Sequence, residues 1–296
     1  MTTRRTSLAA GGVLLLILTA MAVPRAQTQQ RGIYTSVLDK DGKPVAGLSP
    51  ADFVVREDNV TREVLRVEPA TQPMQIALLV DNSQRSSPNI RDIREAAGAF
   101  IKGVTGTGMK NEVAIIAVAE RATILVDYTT DQAKLLKGAS LFTQPGSGAY
   151  MLDALWETSR GFKKREAARP VIVAIATNGP ELSNRYRDQV IGAIKDASAS
   201  LHIVMVGQPP TDFTSNEGRE RAFIFSEGPD QTGGRYDNVL APSALPQRLA
   251  QVADELTHQY LVTYARPQSL IPPERIKITG KRDDLVVRGQ PGRVSK

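Results

Sequence analysis

The sequence contains no cysteine and only two histidines, His202 and His258. The lack of cysteine excludes disulfides, thiolate catalysis, cysteine-type zinc sites and iron–sulfur clusters. Two histidines leave little material for histidine metal sites or catalytic triads. Aromatic residues make up 5% of the chain and tryptophan occurs once, so the core must rest on Val, Ile, Leu and Ala. This composition does not suggest an aromatic-lined sugar or nucleobase site.

The rest of the composition is that of a globular protein, because 41% of the 296 residues are hydrophobic and 23% are charged. The length suits one large domain with a smaller one. Part of the formal charge of +6 comes from Arg4, Arg5 and Arg25, and the chain after residue 26 carries 34 basic against 31 acidic side chains. This small surplus, without a basic run, predicts no nucleic-acid partner.

The first 26 residues have the pattern of a secretory signal. Arg4 and Arg5 precede an apolar run that leads to an Ala20-Met21-Ala22 cleavage motif, and a second cut is available after Ala26. The apolar run is shorter than the ~20 residues that a membrane-spanning helix needs. We therefore expect residues 1–26 to be a signal peptide, with no stable membrane span after cleavage. The mature product is then periplasmic or secreted.

Both ends of the mature chain have the pattern of short strands and turns. In residues 32–72, Ile33, Thr35 and Val37 alternate toward a turn-rich segment, and residues 259–293 repeat the pattern around Pro272-Pro273. Neither segment is long enough to form a core alone. We therefore expect the two ends to join in one small β-sandwich-like domain.

Residues 73–258 follow a different pattern, in which apolar runs alternate with helical periodicity. Such runs are typical of strands buried on both faces of a sheet. The one break in the alternation, from Ala114 to Tyr128, predicts an antiparallel edge hairpin. The pattern predicts an α/β fold with a doubly wound, mostly parallel sheet. The four apolar runs are Ile76 to Val80, Val113 to Val118, Val171 to Ala176 and Leu201 to Val206.

Sites in such sheets form at the loops that leave the carboxyl ends of strands. Asp81, Ser83 and Arg85 follow the first predicted strand, Tyr150 precedes a predicted helix, and Asn178 follows the third strand. We expect these five residues to form a ligand-binding surface.

The order of these loops and of the flanking β segments resembles the von Willebrand factor type A family. The resemblance is closer to a bacterial exported subgroup, in which short β segments flank the domain. The segment from Val37 to Val45, Asp52-Phe53 and the segment from Gln259 to Tyr264 carry the resemblance beside the central loops. It implies a von Willebrand A-like domain over residues 73–258. It also implies a Mg²⁺ ion in a metal-ion-dependent adhesion site, whose first motif is D-x-S-x-S.

This sequence departs from the family's metal-site pattern at three positions. Asp81 and Ser83 match, but Arg85 replaces the last serine, Ala149 stands where a threonine is expected, and Asn178 replaces an aspartate. A fixed positive charge near the cation would cost several kcal/mol even at an effective dielectric of about 20. We expect a degenerate site that binds no metal or other cofactor. Asp81 and Ser83 then have structural roles, capping loop amides and starting the next helix.

These features predict a non-enzymatic protein–protein interaction module. In metal-binding members of the family, an acidic side chain of the partner completes the coordination. Arg85 would receive that carboxylate here, because a planar guanidinium can hold it by two hydrogen bonds. Alternatively, Arg85 pairs with Asp81 or lies in solvent. Two other functions remain open: a passive envelope scaffold that makes contacts through the β domain, and an envelope hydrolase or its accessory subunit, for which no nucleophile–base pair is evident.

Overall fold

The computed structural model describes residues 28–142, 147–208, 214–268, 271, 273 and 275–291. The expected signal peptide, residues 1–26, lies outside the described residues. No helix in the described part of the chain has the length and apolarity needed to cross a membrane.

The described residues contain thirteen strands, six α-helices and three short 3₁₀ helices. The strands are β1 (Thr28–Leu38), β2 (Phe53–Glu57), β3 (Val60–Arg62), β4 (Val64–Pro69), β5 (Gln75–Asp81), β6 (Glu112–Val118), β7 (Ala122–Thr129), β8 (Pro170–Thr177), β9 (Ser200–Val206), β10 (Tyr236–Val239), β11 (Tyr260–Pro267), β12 (Ile276–Gly280) and β13 (Val286–Pro291). The helices are α1 (Ile90–Thr105), α2 (Gln132–Ala139), α3 (Met151–Lys164), α4 (Arg187–Asp196), α5 (Asn216–Thr232) and α6 (Leu245–Thr257).

A six-stranded sheet forms the centre of the molecule, in the order β10-β9-β8-β5-β6-β7. Neighbouring strands run parallel except β6 and β7, which form an antiparallel hairpin at one edge. The four apolar runs of the sequence coincide with β5, β6, β8 and β9. The predicted α/β fold and its edge hairpin are therefore confirmed.

Helices cover both faces of this sheet. Helices α1, α2 and α6 pack on one face, and α3, α4 and α5 pack on the other. Successive side chains of a strand point to opposite faces, so Leu78 and Val80 join the first core whereas Ala77 and Leu79 join the second. Burial on both faces explains why the strand sequences are apolar without alternation.

Strands from the two ends of the chain form two antiparallel sheets, in the orders β13-β1-β11-β4 and β12-β2-β3. Ile33 of β1 lies opposite Val262 of β11, and Val37 lies opposite Val287 of β13. The two sheets share one hydrophobic core, to which β1, β2, β11 and β12 contribute buried side chains. The ends of the chain therefore depend on each other for their burial.

Arg169 joins the central domain to these terminal strands. Its fully buried guanidinium donates to the Gln72 carbonyl at 3.0 Å, the Leu256 carbonyl at 2.8 Å and Gln259 Oε1 at 2.7 Å. Burial lowers the pKa of Arg169 to about 10, an effect that Tyr34 partly opposes. Because three acceptors depend on it, this arginine acts as a fixed connection between the domains.

A buried charge cluster makes a second connection. Glu255 of α6 accepts hydrogen bonds from Arg235 at 2.9 Å and from Arg288 of β13 at 3.1 Å. His202 of β9 lies beside this cluster and is fully buried. Burial, which outweighs the attraction of Glu255, lowers the pKa of His202 to about 4. This histidine is therefore neutral at physiological pH.

Candidate functional site: the loop face

Three loops meet at the carboxyl ends of β5, β6 and β8. We call residues 81–86, 147–150 and 177–183 the loop face. Main-chain hydrogen bonds tie two of its parts to the end of β6, because Asn82 donates to Val118 at 2.8 Å and Tyr150 donates to Ala119 at 2.9 Å. A third bond joins two parts directly, from Leu182 to Ala149 at 2.9 Å. Residues 143–146, which precede the second of these loops, lie outside the described residues.

Asp81 at the end of β5 is fully buried beneath the loop face. Its Oδ1 accepts a hydrogen bond from the Ser83 N–H at 2.9 Å. Its Oδ2 accepts two bonds from Thr177, one from the N–H at 3.0 Å and one from the hydroxyl at 2.6 Å. The carboxylate therefore accepts hydrogen bonds from main-chain amides, the structural role expected for Asp81 in a site without metal. It also connects the first loop to β8.

Ser83 is 1% exposed and has a hydroxyl without a hydrogen-bond partner among the described residues. It precedes a short 3₁₀ helix, Gln84–Asn89, but its side chain forms no capping bond there. Its carbonyl instead accepts from the Ser86 hydroxyl at 2.7 Å. Ser83 thus starts the helical turn through its main chain, and the hydroxyl is left unused.

Arg85 projects from the same turn and is exposed. A Cβ atom added to Gly179 would lie 3.1 Å from the Cβ of Arg85 and 3.4 Å from the Ser83 hydroxyl oxygen. Gly179 therefore allows both residues to approach the loop that follows β8. Arg85 forms no ion pair within the described part of the chain, and Asp81 is bonded elsewhere. Of the alternatives to partner binding, the Arg85–Asp81 pair is therefore not formed, and the exposed Arg85 is consistent with the other, a side chain in solvent.

The other two predicted site residues also lie on the loop face. Tyr150 is half-buried at the position before α3, and Asn178 is half-buried between β8 and Gly179. The loop of Tyr150 is joined to the loop of Asn178 by a bridge between Ala149 and Glu181. The topology thus brings all five predicted residues to one end of the sheet.

Sequence reasoning missed the pair that supports this face from below. Arg221 of α5 donates to the carbonyls of Thr177 and Gly179, and its Nε lies 3.8 Å from Glu181 Oε2. Both side chains are buried. They are far apart in sequence and belong to no motif, so nothing in the sequence pointed to their contact.

Glu181 in turn contacts the start of α3. Its Oε1 accepts from the N–H groups of Leu152 at 3.4 Å and Ser183 at 3.2 Å. Burial raises the pKa of Glu181, whereas Arg221 and these hydrogen bonds oppose the shift. The carboxylate therefore connects the helix start to the loop after β8.

Residues 76–180 match the family model of the von Willebrand factor type A domain. This matched segment, about a third of the 296 residues, is similar to a von Willebrand factor type A domain. The match includes all five predicted site residues of the loop face. Helices α4, α5 and α6, which complete the two outer layers of the central α/β fold, follow the matched segment.

Solved structures show the same fold. The chain is similar to a von Willebrand factor type A protein from Catenulispora acidiphila, with 11% identity, a TM-score of 0.51, and coverage of 90% of this chain and 73% of that one. It is also similar to proximal thread matrix protein 1 from the mussel byssus, with 12% identity, a TM-score of 0.51, and coverage of 64% and 49%. No curated protein sequence matches the chain.

Proposed function

We propose that this chain is a non-enzymatic, exported protein that binds another protein through the loop face of its von Willebrand A domain. Domains of this kind generally bind other proteins. The signal pattern of residues 1–26 supports export, and we propose a periplasmic or secreted location. The contacts of Asp81, Glu181 and Arg221 support a rigid face, which lowers the entropy lost on binding.

The observation that carries this proposal is that Arg85 is exposed and forms no ion pair within the described residues. The nearest carboxylate in sequence, Asp81, is held by Ser83 and Thr177. We propose that an acidic side chain of the partner pairs with Arg85. A bidentate guanidinium–carboxylate contact is strong and geometrically specific.

We further propose that the face binds without a metal ion. A divalent cation such as Mg²⁺ needs about six oxygen ligands in near-octahedral geometry. Both oxygens of Asp81 already accept hydrogen bonds. Ser83 keeps its family position, but Arg85, Ala149 and Asn178 occupy the other three. The residues present therefore do not fit the ion, and the family's metal-dependent route to the partner is not available here.

The placement of the histidines supports a function without catalysis. His202 lies within β9 beside Glu255, and His258 ends α6, where its Nδ1 contacts Asp254. Neither lies on the loop face, so Ser83 has no histidine base there. Loss of turnover on an envelope substrate in Ser83→Ala would instead favour the hydrolase alternative.

In-cell crosslinking from the loop face tests the proposal. Photoreactive residues at positions 150 and 178 should capture the partner, and a control at Glu68, exposed on β4, should not. Capture from the Glu68 position alone would favour a scaffold that makes contacts through its β sheets. A protein captured only from positions 150 and 178 would support the loop face.

Substitutions of Arg85 then test its role against the captured protein. Binding should resist chelators and weaken with salt, and Arg85→Ala should cost ~2–5 kcal/mol if the pair is buried. Arg85→Lys should restore only part of the loss, because an ammonium lacks the planar fork. Equal affinity of the unchanged chain, Arg85→Ala and Arg85→Lys for the captured protein would show that Arg85 does not take part in binding.

A further inference from the structure

The single tryptophan of the chain, Trp156, lies on α3, where it packs against the edge of the second core. Trp156 is half-buried, and two guanidinium groups contact its ring. The Cζ of Arg160 lies 4.6 Å from the ring centroid, and the Cζ of Arg185 lies 3.9 Å from it. Arg185 also donates to Asp153 at 2.6 Å. These contacts hold the indole in a defined position at the surface.

An open groove runs beside this tryptophan along α3. Gly161 contributes no side chain to it, and a Cβ atom added there would lie 3.2 Å from Nη1 of Arg165. The rim is basic, with one acidic residue. The groove is lined by Trp156, Glu157, Arg160, Gly161, Lys163 and Lys164. We call these six residues the α3 groove.

Two cations of the α3 groove are available to a ligand. Arg160 and Lys164 are exposed and form no ion pair within the described residues. Lys163 contacts Asp196 at 2.9 Å, but both side chains are more than half exposed, so this pair is easily exchanged. A guanidinium whose flat face lies against an indole still has N–H donors along its edge, and these can bind a carboxylate.

We propose that the α3 groove binds an acidic segment of a partner polypeptide. Carboxylates of the segment pair with Arg160 and Lys164, and an apolar side chain between them packs against Trp156. Tryptophan and arginine are the residue types that most often dominate protein interfaces. The occupant is acidic because the free charges of the groove are positive.

The charge arrangement favours a polypeptide over other anions. A protein that binds the phosphate backbone of a nucleic acid makes many phosphate contacts, for example about 6–10. Recognition of anionic membranes uses clusters of about 4–8 basic residues. The α3 groove has two cations without an ion pair among the described residues, and Glu157 adds one negative charge to its lining. A short segment with a few carboxylates matches this number.

The α3 groove is separate from the loop face. Helix α3 begins beside the loop face at Tyr150, and Trp156 lies about 9 Å farther along the helix at 1.5 Å per residue. The inference therefore does not depend on Arg85. It adds a second contact surface to the domain.

Fluorescence of the full chain tests this proposal directly, because Trp156 is the only tryptophan. The probe is a short capped peptide of glutamate, leucine, serine and glycine without aromatic residues. Added peptide should change the fluorescence emission of Trp156, and the change should saturate as the peptide concentration rises. The apparent affinity should fall as salt is added. Arg160→Gln with Lys164→Gln should weaken binding by about tenfold or more, which corresponds to ~1.4 kcal/mol. Anisotropy of a labelled copy of the peptide provides a readout that does not depend on the indole.

A matched control removes the same charge from the opposite face of the sheet. Lys134 and Lys137 of α2 are exposed and form no ion pair within the described residues. Lys134→Gln with Lys137→Gln should leave peptide affinity nearly unchanged, and so should Arg85→Ala. An equal loss in either variant would overturn the assignment to the α3 groove.

Three further results would also overturn the proposal. The first is no saturable change with the acidic peptide at millimolar concentration. The second is equal binding of the same peptide with glutamine in place of glutamate. The third is tighter binding of a single-stranded oligothymidine or of phosphatidylglycerol vesicles, which would assign the groove to nucleic acid or to a lipid surface.

Discussion

Thr177 holds the carboxylate of Asp81 by two hydrogen bonds, from its main-chain N–H at 3.0 Å and its hydroxyl at 2.6 Å. This contact joins the ends of β5 and β8, the strands from which two loops of the loop face depart. It also places the one carboxylate of the predicted metal motif below the surface. The contact between Asp81 and Thr177 therefore supports the loop face from below, and the Asp81 carboxylate is not presented at the surface as a metal ligand.

Removal of the Thr177 hydroxyl should destabilise the protein. In Thr177→Val the Asp81 carboxylate loses its shortest hydrogen bond while it stays buried, which should cost about 1–3 kcal/mol in the free energy of unfolding. Thr177→Ser keeps the donor and should lose less. Urea unfolding of the three proteins measures the difference. Equal stability of the valine and serine variants would show that the hydroxyl contributes nothing.

Divalent cations should not stabilise the folded protein. A ligand that binds the native state at about 100 times its dissociation constant adds ~2.7 kcal/mol to the free energy of unfolding. Thermal unfolding with millimolar Mg²⁺, Mn²⁺ or Ca²⁺ should therefore give the same Tm as unfolding with a chelator. A rise in Tm that disappears in Asp81→Ala would show that the loop face holds a cation after all.

Acidification should weaken the fold through His202. Its folded pKa of about 4 lies below its ordinary value, so between about pH 6.5 and pH 4 the unfolded chain binds a proton that the folded chain does not. Stability should thus fall as the pH falls through this window, by about 2 kcal/mol between pH 7 and pH 5. Urea unfolding at the two pH values measures this loss.

The variant His202→Leu separates this effect from its charged neighbours. Leucine cannot titrate, so the loss between pH 7 and pH 5 should shrink. Glu255, Arg288, Arg235 and Asp237 also act on His202 and remain in the variant. Burial raises the pKa of Glu255, but the nearby cations outweigh it and lower this pKa to about 2, so its contribution is lost only at more acidic pH. An unchanged slope in His202→Leu would assign the pH dependence to other groups.

The N-terminal strands should require the C-terminal ones. A chain that stops after Thr257 lacks β11, which lies between β1 and β4, and also lacks β12 and β13. Exposed strand edges and apolar faces should then cause aggregation or protease cleavage within residues 32–72. Limited proteolysis of this chain beside the full chain measures the protection. Unchanged protection would mean that the N-terminal strands fold independently.

Local sequence patterns were sufficient for the central architecture. The strand from Ile76 to Val80 is apolar at every position because both faces of β5 are covered, and a short unbroken run of this kind is typical of a strand in the middle of a parallel sheet. The break between Ala114 and Tyr128 identified the one antiparallel hairpin of the central sheet. The same pattern placed Asp81, Arg85 and Asn178 after strand ends, and parallel strands bring such positions to one edge.

The sequence by itself therefore determined which segments are buried strands and which loops share an end of the sheet, because burial and periodicity act over a few residues. Only the tertiary structure decided which side chains meet. Arg221 reaches Glu181, and Arg185 reaches Trp156, across different elements of the chain. Whether Arg85 is paired or free likewise depended on Thr177, which engages Asp81 from another strand. Such contacts are decided by packing between distant segments, and no local pattern of residue types records them.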